Sequence, residues 1–139
     1  MADEDSYSQV YALILDTDIL IWVLRDRPAA LRFVDAIPPA QRNVSSITYM
    51  ELLYGSRDAT DLRSIKDLVD DIFAEVVPVS EVISATATRL MEEFVLACRL
   101  GVSDALIAAT ALERHEPLAT GNEKYFRVIR ALELKTFRP

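Results

Sequence analysis

The chain holds a single cysteine, Cys98, in 139 residues, so no disulfide can form within it, and a reducing compartment, the cytoplasm, is the expected setting. Cys98 falls in an apolar helical pattern and reads as a small buried hydrophobe rather than a reactive thiol. Histidine is equally scarce. His115 stands alone near a predicted helix C-terminus, where a surface role is the plain reading. With no cysteine pair and no second histidine, zinc has little to bind to. Long apolar runs are also missing: Ile19 to Leu24 is far below the roughly 20 residues that cross a bilayer. The opening Met1-Ala2-Asp3-Glu4-Asp5 is acidic where a secretory signal is basic. Neither export nor a membrane anchor is expected. Basic residues are outnumbered, 15 Lys and Arg against 22 Asp and Glu, for a net charge of −7, with an isoelectric point near 4.7. A protein of that sign does not hold nucleic acid mainly through a general basic surface. Part of the excess is peripheral, in Asp3, Glu4 and Asp5. A polyanionic substrate therefore needs a local receiver, of which a metal ion is the obvious one.

What is present is apolar material, 51% of residues with a mean hydropathy of +0.16, enough for one compact domain with a real core. The organising stretch is Leu13-Ile14-Leu15-Asp16-Thr17-Asp18-Ile19-Leu20-Ile21-Trp22. A short apolar run ends in carboxylates, and apolar residues then resume at helical spacing. It reads as a buried strand over Val10 to Leu15 delivering an acid to a functional edge, followed by a helix over Asp18 to Arg25. Residues 1–9 read as a frayed polar tail and 10–139 as a single domain. A second helix opens at Pro28, which suits a first turn, and runs to Ile37; a strand follows over Asn43 to Ile47. Thr48-Tyr49-Met50-Glu51 fits a capping box. Leu62, Ile65, Leu68, Val69, Ile72 and Phe73 recur at helical spacing. Val76 to Val79 reads as a strand, Glu81 to Leu100 as a helix stopped by Gly101, Ser103 as the start of another, Pro117 to Thr120 as a strand and Leu134 to Phe137 as a short edge strand. Strands and helices alternate throughout, which predicts a three-layer α/β domain around a mostly parallel sheet.

Asp16, Glu51 and Asp104 each lie near a helix start. Each has a plain structural explanation: Asp16 as N-cap, Glu51 as the reciprocal partner of Thr48, Asp104 as a first-turn acid favoured by the helix dipole. Taken together they suggest more, because helix starts that emerge from one edge of a parallel sheet bring their acids to a common place. Two carboxylates roughly 4.5 Å apart repel by about 4 kcal/mol at an effective dielectric of about 20, so a triad of them calls for a cation. Oxygen-only ligands favour Mg²⁺ or Mn²⁺.

Four segments now carry a resemblance: Ile14-Leu15-Asp16-Thr17-Asp18-Ile19-Leu20-Ile21; Ser45-Ser46-Ile47-Thr48-Tyr49-Met50-Glu51-Leu52-Leu53-Tyr54-Gly55; Ser103-Asp104-Ala105-Leu106-Ile107-Ala108-Ala109-Thr110-Ala111; and Leu118-Ala119-Thr120-Gly121-Asn122. In this order they resemble the PIN-domain ribonucleases of the VapC toxin type, found in type II toxin–antitoxin pairs, over nearly the whole chain from residue 11. The resemblance implies a PIN-like fold with strand order 3-2-1-4-5, with Asp16, Glu51 and Asp104 as metal-binding catalytic acids. It departs at the fourth position, where many relatives carry an acid and this chain has Asn122, an uncharged carbonyl donor. Glu123 is a possible stand-in, Asp18 reads as a residue touching the site from behind or a helix cap, and Thr120 as one that orients water, hydrogen-bonds an acid or, as a strand-end hydroxyl, caps a turn.

The implied reaction is hydrolysis of RNA phosphodiesters at an Mg²⁺ or Mn²⁺ site, with Arg25, Arg27, Arg42, Lys124 and Arg127 as candidates for flanking phosphates or as ordinary solvated surface. The implied partners are RNA, an antitoxin that places a basic side chain in the acidic site, and a second copy of the chain. Trp22, Tyr49, Leu53 and Tyr54 read either as a dimer face or as core. Two alternatives come from other classes. One is a phosphatase of the haloacid dehalogenase type with Asp16 as nucleophile and Asp18 as acid and base, although Leu20 does not suit its loop and no Gly-Asp motif follows. The other is an acidic interaction domain without turnover.

Overall fold

The computed structural model describes residues 12–139; the tail expected over 1–9, and Val10 and Tyr11 of the expected first strand, lie outside the described residues. Strand β1 (Leu13–Leu15) is apolar and buried at every position, the pattern of a parallel strand covered on both faces. Leu13 and Leu15 pack with Ile19, Val23, Ala30 and Val34 on one side of the sheet. Ile14 packs on the other with Leu90, Ile107, Leu118 and Phe126. Helices α1 (Thr17–Leu24) and α2 (Pro28–Asp35) follow, the second with proline in its first turn as expected. After a 3₁₀ turn at Pro39–Gln41 come β2 (Arg42–Ser45), α3 (Ser46–Tyr54), α4 (Ala59–Ile72) and β3 (Glu75–Val77). The second half is α5 (Glu81–Cys98), α6 (Val102–Arg114), β4 (Leu118–Thr120), the single turn α7 (Glu123–Phe126) and β5 (Leu134–Thr136).

The five strands lie in the order β3-β2-β1-β4-β5, and every pairing is parallel. This is the expected order. The chain steps outward on one side of β1 through β2 and β3, then returns to the other side through β4. The order therefore reverses between β1 and β4, the place where open α/β sheets bind ligands, beyond the carboxyl ends of the strands. Helix α6 packs closely here because Ala105, Ala108, Ala109 and Ala111 are buried small residues.

Two local readings need correction. Thr48 does not open α3: Ser45 does, its Oγ accepting the Ile47 N–H at 3.0 Å, so the expected strand to Ile47 stops at Ser45 and Thr48 lies buried inside the helix. The serine sits where the chain leaves the sheet, and a hydroxyl there satisfies an otherwise orphaned N–H. Gly101 does not stop α5. Arg99 takes the left-handed conformation at its C-terminus (φ 59°), while Gly101, in extended backbone, caps the start of α6.

Gly121 matters for space rather than for backbone freedom. A Cβ there lies 2.6 Å from Cη2 and 2.8 Å from Cζ3 of Trp22, and that indole is itself held by Phe137, 5.8 Å between ring centroids. The Gly121→Ala variant is expected to lose about 1–3 kcal/mol of stability, the usual range for overpacking. Urea unfolding followed by the fluorescence of Trp22, the sole tryptophan, measures this; an unchanged midpoint contradicts the close packing.

Candidate active site

Asp16 is the last extended residue after β1 and the N-cap of α1. Its backbone N–H still donates to Ala119 O at 2.9 Å, which extends the ladder between β1 and β4 and fixes the side chain at the switch point. The carboxylate is only 3% exposed. Oδ1 accepts the Thr17 N–H at 2.8 Å and Oδ2 the Thr120 hydroxyl at 2.7 Å. The Thr120 Oγ1 in turn accepts the Asn122 N–H at 2.9 Å. Thr120 thus hydrogen-bonds an acid and caps the turn after β4 at once, two of the three roles expected for it.

Glu51 reaches the same edge from α3. The Thr17 hydroxyl donates to its Oε1 at 2.7 Å, and Thr17 Oγ1 also lies 2.9 Å from Thr48 Oγ1. Thr17 has one hydroxyl proton, so with that proton given to Glu51 it accepts from Thr48. Glu51 is therefore tied to the β1–α1 junction and is not the capping-box partner of Thr48. Asp104 stands in the first turn of α6 and bonds back to the backbone of Gly101, the reach-back of a first-turn acid to its cap residue. Asp18, in the first turn of α1, accepts the Gly121 N–H through Oδ2 at 3.0 Å and so joins the β1 and β4 loops. Its Oδ1 is buried with no hydrogen-bond partner.

Electrostatics binds these groups into one site. Burial, chiefly, and then the Asp18 carboxylate push Asp16 up to about 7, against the lowering effect of its Thr120 and Thr17 hydrogen bonds; Asp104 adds to the rise. Asp18 is raised by burial, opposed by the Gly121 N–H, with Asp104 again adding. Asp104 is raised by burial and by Glu51. Each acid feels at least one of the others. Among the described residues, however, no three His, Cys, Asp or Glu side chains form a group that could hold a metal ion as they stand. Of the three acids Glu51 is the most exposed, held at this edge by the Thr17 hydroxyl.

Other expected residues fall elsewhere. Glu123 is engaged by Arg138 at 3.3 Å and Arg127 at 4.0 Å, so its charge is answered away from Asp16. Asn122 is exposed before α7, with no cap hydrogen bond from its side chain. Arg42 is no phosphate ligand: it is buried at the start of β2, its Nε donating to Ile37 O at 2.8 Å, at the opposite end of the sheet from Asp16. Arg25 ends α1 and Arg27 precedes α2, both exposed. Trp22, Tyr49 and Leu53 pack against the core clusters; of the four apolar dimer candidates only Tyr54 stays fully outside, 93% exposed. His115 is exposed in a left-handed helix cap, and Cys98 is half-buried beside the Phe94 and Tyr125 carbonyls. Thr17 was legible only as a letter between two acids, since its partner Glu51 lies far along the chain.

Comparison with known proteins places this geometry. The PIN domain family model matches residues 13–131. Ribonuclease VapC28 of Mycobacterium tuberculosis is 31% identical over 114 residues, covering 76% of this chain and 86% of its own. Among solved structures, a toxin–antitoxin complex from Klebsiella pneumoniae contains a chain 29% identical with a TM-score of 0.73, over 86% of this chain and 94% of that one. VapBC-1 from nontypeable Haemophilus influenzae gives 28% identity and a TM-score of 0.71, over 89% and 96%. The phosphatase alternative has no support in these likenesses. Asp16 at the switch point of a 3-2-1-4-5 parallel sheet, with the family model spanning nearly every element around it, makes this chain a member of the PIN-domain family and, within it, of the VapC ribonucleases.

Proposed function

We propose that this protein is a divalent-metal-dependent endoribonuclease, the toxin of a type II toxin–antitoxin pair, with Asp16, Glu51 and Asp104 as its catalytic metal ligands. The observation that carries the reading is the burial of Asp16 at the strand-order reversal beside the carboxylates of Asp18 and Asp104, the latter in turn coupled to Glu51. A neutral or cationless setting makes such a cluster costly. The donors fit Mg²⁺ or Mn²⁺: all are carboxylate oxygens, and the unpartnered buried Oδ1 of Asp18 offers a further one or a hydrogen-bond acceptor just behind them. When bound, the ion supplies Lewis acidity toward the phosphate and lowers the pKa of the attacking water.

The chain's own groups do the rest. Thr120 and the Thr17 N–H each occupy one lone pair of Asp16 and fix its plane, leaving the remaining lone pairs for ligation. The Thr17 hydroxyl steers Glu51 toward the same edge. Asp18 holds Gly121, and with it the loop that leads to Asn122, whose carbonyl is an uncharged donor at the fourth position. The N-terminal turns of α1 and α6 add partial positive charge near the scissile phosphate. The partners that follow are an RNA substrate, a cognate antitoxin contributing a basic side chain to the acids, and a second copy of the chain. Cytoplasmic residence follows from that role; among the described residues no helix is long and apolar enough to cross a membrane.

Asp16→Asn and Asp104→Asn are each expected to fold and to lower Mn²⁺-dependent RNA cleavage about a hundredfold or more. Isothermal titration with Mn²⁺ should show a matching loss of affinity. Wild-type protein that binds no Mn²⁺ at these acids and cleaves no RNA is the non-catalytic interaction domain instead.

The raised Asp16 also sets a pH dependence. Its folded value of about 7 lies above the ordinary 3.8, so below about pH 4 both folded and unfolded states hold the proton and nothing is lost. Between about pH 4 and 7 only the unfolded state ionises, and stability falls as pH rises, by about 4 kcal/mol in all for this group. Urea midpoints in EDTA should therefore be lower at pH 8 than at pH 5, flatter in Asp16→Asn, and restored at pH 8 by Mn²⁺ in the wild type alone. An equal pH slope in the Asn variant rules out Asp16 as the source.

A further inference from the structure

Beside the acid edge lies a feature of the opposite sign. Lys124, Arg127 and Arg130 are exposed, and with Val128 they line a depression of about 400 Å³. No carboxylate is among its lining residues, in a chain of net charge −7. The backbone stays coiled through this stretch, with Arg127 N donating to Glu123 O at 2.8 Å, Ile129 N to Phe126 O and Leu132 N to Ile129 O at 3.0 Å. Beyond α7 these are single turns, and it is the exposure of the three cations and the hollow they share that places them on one outer side. The other face is fixed, since Phe126 and Ile129 are buried in the core beneath α5 and α6, so the three cations must face outward. Glu123 is shared between Arg127 at 4.0 Å and Arg138 at 3.3 Å, leaving the Arg127 side chain 69% exposed. The Lys124 ammonium lies 5.7 Å from the centroid of the Tyr125 ring, which is itself partly open to solvent.

Position gives this row a purpose. Asn122, two residues before Lys124, donates its N–H to the Thr120 hydroxyl that holds Asp16. The cations thus begin at the acid edge and descend toward the start of β5. We propose that Lys124, Arg127 and Arg130 form a binding track for the phosphodiester backbone of single-stranded RNA, leading the substrate strand away from the scissile bond, with Tyr125 as a face on which a base stacks. The proposal rests on the ribonuclease reading and deepens it. Evenly spaced cations beside an accessible ring are the combination that binds single strands. An acidic protein segment needs the charges but not the ring, and need not begin at the reacting edge.

The test uses Lys124→Ala, Arg127→Ala and Arg130→Ala combined, in the Asp104→Asn background, with fluorescence anisotropy of a labelled single-stranded 12-nucleotide RNA at several KCl concentrations. Binding is expected to weaken tenfold or more at low salt, and the slope of log K against log salt to fall by about 2, the share of three phosphate contacts on a single strand. In the active background the triple variant should raise KM far more than it lowers kcat, with Mn²⁺ affinity unchanged. Arg127→Glu alone should weaken RNA binding in the same direction, which guards against a folding defect in the triple variant. If the wild type cleaves RNA and the triple variant matches its KM, affinity and salt slope, the track is wrong and the ribonuclease reading stands. If the wild type neither binds nor cleaves RNA, both fall. If the triple variant loses a poly-glutamate peptide but keeps RNA, the surface serves an acidic protein and the proposal is overturned.

Discussion

A carboxylate held out of water at the carboxyl end of the central strand is the constraint on which this molecule turns. Asp16 is itself buried, with the fully buried Leu15 before it and the fully buried Ile19 in the first turn of α1 after it. Its hydrogen bonds to Thr17 and Thr120 soften the cost, yet burial and the neighbouring Asp18 still raise its pKa to about 7. Two neutral donors do not match what water gives a carboxylate. The unmet demand is for positive charge, and it is shared by Asp104 and Asp18, which burial also raises. Perturbed acids of this kind gather at functional sites, and under the proposed function a bound hard cation would offset the stability given up locally.

The apolar layers convert that local strain into geometry. Leu13 and Leu15 on one face of β1 and Ile14 on the other lock the strand between two helical layers, so the residue after them has one place to go. On the β4 side, Trp22 packs against Gly121 closely enough to exclude a Cβ, and Asp18 holds the Gly121 N–H. Core packing thus reaches within one residue of Thr120. At the far end of the sheet a separate polar network does the corresponding work: Arg114 pairs bidentately with Glu75 at 2.7 and 3.2 Å, Asn43 reaches Glu116 at 3.2 Å, and Arg42 is bonded to Ile37. Those charges are answered within the protein. The carboxylates at the other end are met by neutral donors, the Thr17 and Thr120 hydroxyls and the Thr17 and Gly121 N–H groups, and that is the difference between the two ends.

Charge is therefore arranged rather than merely present. The net excess is negative, and the carboxylates concentrate repulsion where a phosphate must arrive. Under the proposed function, an ion at the acids and the cations displaced to one side, Lys124 on α7 and Arg127 and Arg130 beyond it, would resolve that conflict together, the first receiving the reacting phosphate and the second its neighbours. The exposed Met50 and Tyr54 line an open hollow with Glu51, Thr17 and Ser103, so the acids have an apolar border on the α3 side.

The alternation of strands and helices, the proline start of α2, the edge position of β5 and the clustering of Asp16 and Asp104 at helix starts were legible in local pattern, because each depends on neighbours a few residues away. The strand order and the assignment of the acids came from likeness to a family rather than from periodicity. Local pattern misled where a residue's partner lay far off. Thr48 and Glu51 have the spacing of a capping box, but Thr48 faces Thr17 and Ser45 caps the helix. Glu123 looked available as a fourth acid until β5 brought Arg138 back beside it, and Arg42 looked like surface until the sheet buried it. The sequence by itself determined that a buried strand ends in an acid and that helices follow it. Only the tertiary structure decided which hydroxyl holds which carboxylate and which charges remain unanswered, because hydrogen bonds and desolvation are set by distances between segments that the order of residues does not contain.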